Sequence, residues 1–207
     1  AEHIDRLDQG RFRHVRFSRD DLQQIKYASL LHDFGKIGVR EHVLVKAKKL
    51  YPEQLELVKL RFRYLKKLLE ARYSRDKLAV LLSAAGIGSD GLEAIEQRLV
   101  EEMEELDRYL SFILEANEPR ILPEQGQEQL HVLGTKTVQD DGTVMPLLQQ
   151  DEIKLLSIAR GSLSASEREE IESHVTHTFN FLSRIPWAAH LRQVPDIAYA
   201  PHEKLDG

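Results

Sequence analysis

The densest cluster of chemically capable residues is the run LLHDFGKIG, in which His32 and Asp33 are adjacent and Lys36 follows closely. An imidazole and a carboxylate at one helix end can hold a divalent metal ion, and the carboxylate can bridge two. Lys36 follows Gly35 directly and can return over the site as a cation that binds phosphate. The plainer alternative is a helix C-terminus with a structural His–Asp hydrogen bond. The GKIG sequence that follows favours the metal site.

Two further segments carry histidines that predict additional imidazole ligands. His174 follows the apolar register of its predicted helix and is expected to point inward, whereas His177, one turn later, falls on the weaker face. His174 is therefore a predicted metal ligand, and the alternative is a surface pair of histidines. His202 can supply a third imidazole, with Glu203 orienting its ring. The alternative for this last pair is an exposed polar terminus.

The ligand types restrict the chemistry. Three histidine-bearing segments, one aspartate and one lysine suit iron, manganese, zinc or magnesium acting on oxyanions. The chain has no cysteine, which excludes a disulfide scaffold, a thiolate zinc site and a cysteine nucleophile. A metal site of this kind generates hydroxide near neutral pH and screens phosphate charge. The set therefore points to phosphoester hydrolysis.

Composition excludes several other classes. The chain has 207 residues, of which 42% are hydrophobic and 30% charged, values typical of a soluble globular protein. No uncharged apolar run is long enough to predict a membrane span. The net charge of -5 gives no general case for binding DNA or other nucleic acid. The chain begins at Ala1 rather than Met and stops at HEKLDG, so we expect a piece of a longer protein.

The helix that must position the first pair begins at a capping box. Ser18 and Asp21 have the S-x-x-D spacing and stand directly before an apolar run. We expect this helix to end near Asp33, with Gly35 as the left-handed residue that stops it.

Apolar periodicity predicts two long helices in the middle of the chain. One begins at Pro52 and ends near Ser83, and the other runs from Leu92 to Asn117, with a Gly-rich turn over 84–91. Together they form an antiparallel helical hairpin. Helices of this length outreach a compact domain of this size, so we expect the hairpin to project or to form a homodimer contact. The alternative is that its apolar stripes pack on each other and on the helical core.

One small β-hairpin is the only sheet that the sequence predicts. The turn sequence DDG at 140–142 lies between two apolar segments, 130–133 and 144–148, which are the only strand candidates. The predicted fold class is therefore all-α with a small β-hairpin.

The helix that must carry His174 begins at a second capping box, 164–167, and stops before Pro186. A helix over 151–158 precedes it, and a last helix is expected to start near Asp196. Three separate helices are thus predicted to position the histidines.

These motifs resemble the HD-GYP family, a branch of the HD superfamily of metal-dependent phosphohydrolases. LLHDFGKIGV is similar to the family's HD block, and VREHVLVKAKKLYPEQ to the segment after it. Residues 167–175 resemble the block that bears the next ligand histidine, and APHEKLDG resembles the HHExxxGxGYP block, cut before GYP. The resemblance covers nearly the whole chain. It implies an HD-type helical bundle formed by residues 1–51 and 151–207, with residues 52–150 as a helical-hairpin insertion and linker.

The resemblance also implies an activity. Known members hydrolyse cyclic di-GMP, a bacterial second messenger, to the linear dinucleotide or GMP, with two or three metal ions, commonly iron or manganese. It implies a cytoplasmic signalling enzyme. The long hairpin resembles that of a subgroup often joined to upstream sensor domains, in which the parent protein can be tethered to a membrane. By position, the residues that resemble metal ligands are His32, Asp33 as the bridging group, His174 and His202. Lys36 resembles the lysine that contacts substrate phosphate, Glu203 resembles the Glu after the His-His pair, and Lys46 and Lys48 are expected to hold phosphate charge.

The chain also departs from the family pattern. Pro201 stands where the family usually has the first histidine of the His-His pair, and proline cannot ligate a metal. The upstream histidine of the first helix, the GYP tripeptide and a further aspartate ligand do not occur in the chain. These departures motivate a second hypothesis, a catalytically degenerate HD-GYP-like module that binds a nucleotide or a partner protein. A third is an HD hydrolase that acts on nucleotides in general.

Overall fold

Helices dominate the computed structural model, which describes residues 2–6, 9–82, 89–140 and 143–200. Within these ranges the only sheet is a two-stranded antiparallel hairpin, so the predicted fold class, all-α with a small β-hairpin, is confirmed. The α-helices are α1 (Glu2–Asp5), α2 (Arg19–Leu31), α3 (Glu41–Leu44), α4 (Pro52–Leu82), α5 (Ser89–Ala116), α6 (Glu124–Thr135), α7 (Gln150–Leu156), α8 (Ala165–Leu182) and α9 (Val194–Tyr199). Two 3₁₀ helices span Phe34–Gly38 and Ala189–Leu191, and the strands are β1 (Thr137–Asp140) and β2 (Thr143–Pro146).

The described residues cluster into two compact units. A split unit contains the residues up to Val45 and those from Ala165 onward, and a central unit spans Lys46–Ser164. The boundaries therefore lie at 45/46 and 164/165, whereas the sequence placed them at 51/52 and 150/151. The segments at the two ends of the central unit belong to it because Lys49 is buried there and donates from Nζ to the Leu156 carbonyl at 3.1 Å.

The long helices α4 and α5 form the predicted antiparallel hairpin. Three ion pairs join the two helices. As the residue number on α4 increases from pair to pair, the residue number on α5 decreases, so the helices run antiparallel. The pairs are Lys66 with Asp107 at 2.5 Å, Arg72 with Glu102 at 2.6 Å, and Lys77 with Glu96. Helix α4 begins at Pro52 as expected, and most of the predicted turn lies outside the described residues.

The apolar stripes of this hairpin form the core of the central unit. Phe62 and Leu65 on α4 are fully buried and belong to the same cluster as Leu106 and Ile113 on α5. The cluster extends to Leu50, Val58, Leu69, Leu130, Leu133, Leu148 and Leu156. The stripes thus pack on each other and on the rest of their own unit, which is the alternative named above. Their length gives no independent reason for a second chain, and the homodimer stays a prediction.

The β-hairpin pairs Thr137 with Pro146 at its open end and Asp140 with Thr143 beside the turn. The expectation that residues 130–133 form a strand is wrong, because they lie in α6. Leu130 and Leu133 are three residues apart, so a helix directs both into the core, where their exposure is 0% and 1%.

In the split unit, the capping box at Ser18 is confirmed. Ser18 Oγ accepts from the Asp21 backbone N–H at 3.1 Å, and the Asp21 carboxylate accepts from the Ser18 backbone N–H at 2.8 Å. The Ser18 hydroxyl also donates to the Asp21 carboxylate at 2.7 Å, and this bond, together with the one from the Ser18 backbone N–H, lowers the pKa of Asp21 below its ordinary value. Helix α2 packs through Ala28 against Leu182 and Val194.

The expected end of α2 is wrong in one respect. The helix stops at Leu31, and Gly35 lies in the 3₁₀ helix Phe34–Gly38 rather than in a left-handed conformation. Among the glycines of the described ranges, only Gly10 and Gly161 have positive φ. Gly35 is required for a different reason, its close approach to α8. No helix in the described part of the chain is both long and apolar enough to cross a membrane.

Candidate metal centre

The segment after His32 is held directly against α8. The Gly35 backbone N–H donates to Thr178 Oγ1 at 2.8 Å, and the same hydroxyl donates to the His32 carbonyl at 3.0 Å. A Cβ atom on Gly35 would lie 2.0 Å from the His174 carbonyl oxygen and 2.7 Å from the Thr178 nitrogen. Only a glycine fits this approach, which brings the end of α2 beside His174.

Asp33 lies between two imidazoles that come from different segments. His32 Nε2 is 3.5 Å from Asp33 Oδ2, and His174 Nε2 is 3.5 Å from Asp33 Oδ1. The His174 side chain is only 6% exposed and its Nε2 atom is inaccessible to solvent, whereas Asp33 keeps 42% of its side-chain surface. The carboxylate therefore presents both oxygens to ring nitrogens and remains reachable from solvent.

Backbone carbonyls orient both rings in the same way. His32 Nδ1 lies 2.9 Å from the Ser29 carbonyl, and His174 Nδ1 contacts the Ile171 carbonyl, in each case three residues earlier on the helix. A carbonyl oxygen only accepts, so these bonds assign the proton of each ring to Nδ1. In the neutral ring Nε2 then carries the lone pair, which is the tautomer that a metal ligand at Nε2 requires.

Lys36 completes the cluster around the carboxylate. Its Nζ donates to Asp33 Oδ2 at 2.8 Å. This hydrogen bond is the chief reason that the pKa of Asp33 lies below its ordinary value. Partial burial opposes it, and the charge of Lys36, with those of His32 and His174 where their rings are protonated, adds to it. Asp33 is thus an ionised carboxylate at neutral pH.

The donor set fits a first-row divalent ion in type but is incomplete in number. Two imidazole nitrogens and a carboxylate are suitable ligands for iron, manganese or zinc. Across the part of the chain that the structure describes, no group of three or more His, Asp or Glu side chains is arranged closely enough to hold a metal ion alone. The predicted ligand His202, with Glu203 and the neighbouring Pro201, lies outside the described residues.

The two lysines predicted to hold phosphate charge belong to the central unit. Lys46 Nζ lies 4.3 Å from the centroid of the Tyr51 ring, and Lys48 Nζ pairs with Glu118 at 2.6 Å. Each therefore has an interaction within its own unit, and its role toward a phosphate stays a prediction.

His177 is exposed, with its ring beside Gly38.

One contact that holds the site was not predicted. Arg40, just after the 3₁₀ helix, binds Glu170 of α8 with its backbone N–H at 3.1 Å, its Nε at 2.9 Å and a terminal nitrogen at 2.5 Å. Glu170 lies one turn before His174, so this clamp fixes the far end of the segment that Gly35 docks. Both residues lie in segments that resemble the family pattern, but no sequence signal could have paired them.

The clamp predicts an acid dependence of stability. Hydrogen bonds from Arg40 lower the pKa of Glu170 from 4.5 to about 2. A carboxyl group whose pKa is lowered by folding stabilises the fold fully above the unfolded value, and this contribution is lost as the pH falls through the folded value. We expect the melting temperature of the wild type to exceed that of Glu170→Gln by a constant margin above pH 5, and the margin to shrink from about pH 4.5 to 2. Glu172→Gln, an exposed glutamate of the same helix, serves as the control, and a margin that persists unchanged to pH 2 would contradict the clamp.

No family model, curated protein or solved structure matches the chain. The case for a function therefore depends on the arrangement of His32, Asp33, Lys36 and His174, and on the sequence motif that contains them.

Proposed function

We propose that this chain is a metal-dependent phosphodiesterase domain that hydrolyses cyclic di-GMP in bacterial second-messenger signalling. The observation that carries the proposal is the position of Asp33, whose two carboxylate oxygens each face an imidazole Nε2 at 3.5 Å. The arrangement places two imidazoles and a carboxylate, donor types that a divalent ion prefers, beside one another. The choice of cyclic di-GMP rests on the resemblance of the motifs to the HD-GYP family.

His32, Asp33 and His174 would hold the ion, with His202 as the further ligand that the resemblance implies. A divalent iron or manganese ion in this position would lower the pKa of a bound water and screen phosphate charge. Contacts within the chain already orient the proposed ligands. The carbonyls of Ser29 and Ile171 fix the ring orientations, and the burial of His174 limits competition from solvent.

The position of Lys36 supports a role in binding the substrate. Its side chain is 43% exposed, and its ammonium group lies beside the carboxylate that the metal would share. A phosphate oxygen is a stronger partner for an ammonium group when the carboxylate charge is neutralised by a cation. We therefore expect Lys36 to hold a non-bridging phosphate oxygen of the scissile diester.

A product assay tests the proposal. The protein is incubated with cyclic di-GMP in the presence of manganese or ferrous iron, and the products are separated by chromatography. We expect the linear dinucleotide or GMP to appear, and a chelator to stop the reaction. Mononucleotides assayed in parallel test the broader alternative, an HD hydrolase that acts on nucleotides in general. Absence of any metal-dependent turnover would contradict the enzyme proposal.

A second candidate is a catalytically degenerate module that binds a nucleotide or a partner protein. Two observations favour it: the ammonium of Lys36 already neutralises Asp33 at 2.8 Å, and the described residues hold no complete ligand group. Pro201 in the sequence points the same way. Metal analysis separates the two candidates. Fewer than one bound ion per chain, with no affinity for added manganese or iron, would favour the degenerate module.

A further inference from the structure

Two phenylalanines stack beside the candidate metal centre while remaining open to solvent. The rings of Phe34 and Phe181 have centroids 4.3 Å apart and planes inclined by 26°. Phe34 is 37% exposed and Phe181 is 47% exposed. Aromatic rings are among the side chains that gain most from burial, so a stacked pair left half in water is a candidate surface for a ligand.

Both rings are attached to the elements that build the site. Phe34 follows Asp33 directly and begins the 3₁₀ helix. Phe181 lies seven residues after His174 on α8, so the two side chains project from one face of that helix, about 10 Å apart along its axis. This span is comparable to that of a nucleotide from its phosphate to the far edge of its base.

A third apolar side chain extends the same surface. In a 3₁₀ helix, residues three apart lie one above the other, which places Ile37 on the face of Phe34. Ile37 is 78% exposed. The stacked rings of Phe34 and Phe181 form an aromatic platform, and Ile37 adds apolar surface on the face of Phe34. Lys36, from the same short helix, supplies a cation at Asp33, where its Nζ donates to Oδ2 at 2.8 Å.

We propose that the aromatic platform binds the base of a nucleotide whose phosphate lies at Lys36 and Asp33. This inference rests on the proposed function and names how its site would recognise a substrate. A flat π surface at one end of the site and a cation at Asp33 match a ligand with a flat base at one end and an anion at the other. Stacking on an aromatic ring tolerates any base, so the platform selects nucleotides over base-free phosphates rather than one base over another.

Calorimetric titration with two probes tests this inference in manganese-containing buffer. GMP and ribose 5-phosphate share a phosphorylated ribose and differ in the base. We expect the wild type to bind GMP roughly 5- to 150-fold more tightly than ribose 5-phosphate, the gain that one stacked base gives. Phe181→Leu should lose most of this preference without changing the affinity for ribose 5-phosphate. Phe181→Tyr, which keeps an aromatic ring, should retain the preference.

Phe12→Leu is the matched control, because Phe12 is a phenylalanine of the same unit that is 50% exposed. It should leave both affinities unchanged. Equal affinity of the wild type for the two probes would overturn the platform while leaving the phosphate site of the proposed function in place. Binding of neither probe would overturn both. A Phe181→Leu variant that folds normally and keeps the full preference for GMP would also overturn the platform.

Discussion

Replacing Asp33 with asparagine should lower metal-dependent hydrolysis of cyclic di-GMP by about 10³-fold, the effect of losing about 4 kcal/mol of transition-state stabilisation. Asparagine keeps the size of the side chain but removes its charge. The change deprives the two imidazoles of the anion that they face, and it deprives Lys36 of its partner at 2.8 Å. The measurement is the initial rate at saturating manganese, together with the metal content of the purified variant.

A matched control exists on α2. Asp20 is an exposed aspartate in the first turn of that helix. Asp20→Asn removes the same charge away from the cluster. It should leave the rate within about 2-fold, since surface substitutions cost less than about 0.5 kcal/mol. On α8, His174→Gln should behave like the Asp33 variant, whereas His177→Gln should not. Equal rates for Asp33→Asn and Asp20→Asn would remove Asp33 from the chemistry.

The parts of the fold that the sequence predicts best are those that depend on neighbours in the chain. The capping box of Ser18 and Asp21 is visible because both of its hydrogen bonds join residues three apart. The helices α4 and α5 are visible because their apolar residues repeat at helical spacing over many turns. The wrong strand prediction for residues 130–133 arose because it used only neighbouring residues. A short apolar run has no decisive period, and only the surrounding core shows that Leu130 and Leu133 point the same way.

The residues of the candidate site fall into the same two groups, those that the sequence identifies and those that only the structure shows. The adjacency of His32 and Asp33 can be read directly from the sequence, and the register of His174 on its helix predicted that it points inward. The contacts of Thr178, Glu170 and Phe181 could not be predicted, because each side chain acts on a residue more than 120 positions away in the chain. The residues proposed to carry the chemistry are thus found by type, and those that hold them in place only by structure.

Gly35 illustrates how much depends on one such contact. The sequence assigned it a left-handed conformation, which would have made any side chain unfavourable through backbone strain. Its backbone is instead 3₁₀-helical, a conformation that alanine adopts freely. The constraint is steric and comes from α8, whose backbone atoms at His174 and Thr178 lie within 3 Å of where a Cβ would stand. A helix backbone cannot rotate away as a side chain can.

We therefore expect Gly35→Ala to destabilise the protein by about 3 kcal/mol, at the upper end of the cost of overpacking a tight contact. It should also reduce hydrolysis, because separating the 3₁₀ helix from α8 moves Asp33 away from His174. Urea unfolding gives the stability, and the rate on cyclic di-GMP gives the second effect.

Gly38→Ala is the matched control for this prediction. Its Cβ would lie 2.7 Å from Nδ1 of His177, an exposed side chain that can rotate aside. Both glycines belong to one 3₁₀ helix, and alanine lowers the entropy of the unfolded chain equally at both, which stabilises by about 0.4–1 kcal/mol where the site has room. The difference between the two variants thus isolates the contact with α8. If Gly35→Ala unfolds at the same urea concentration as Gly38→Ala, the contact is not as close as described, and the position of Asp33 against His174 loses its structural basis.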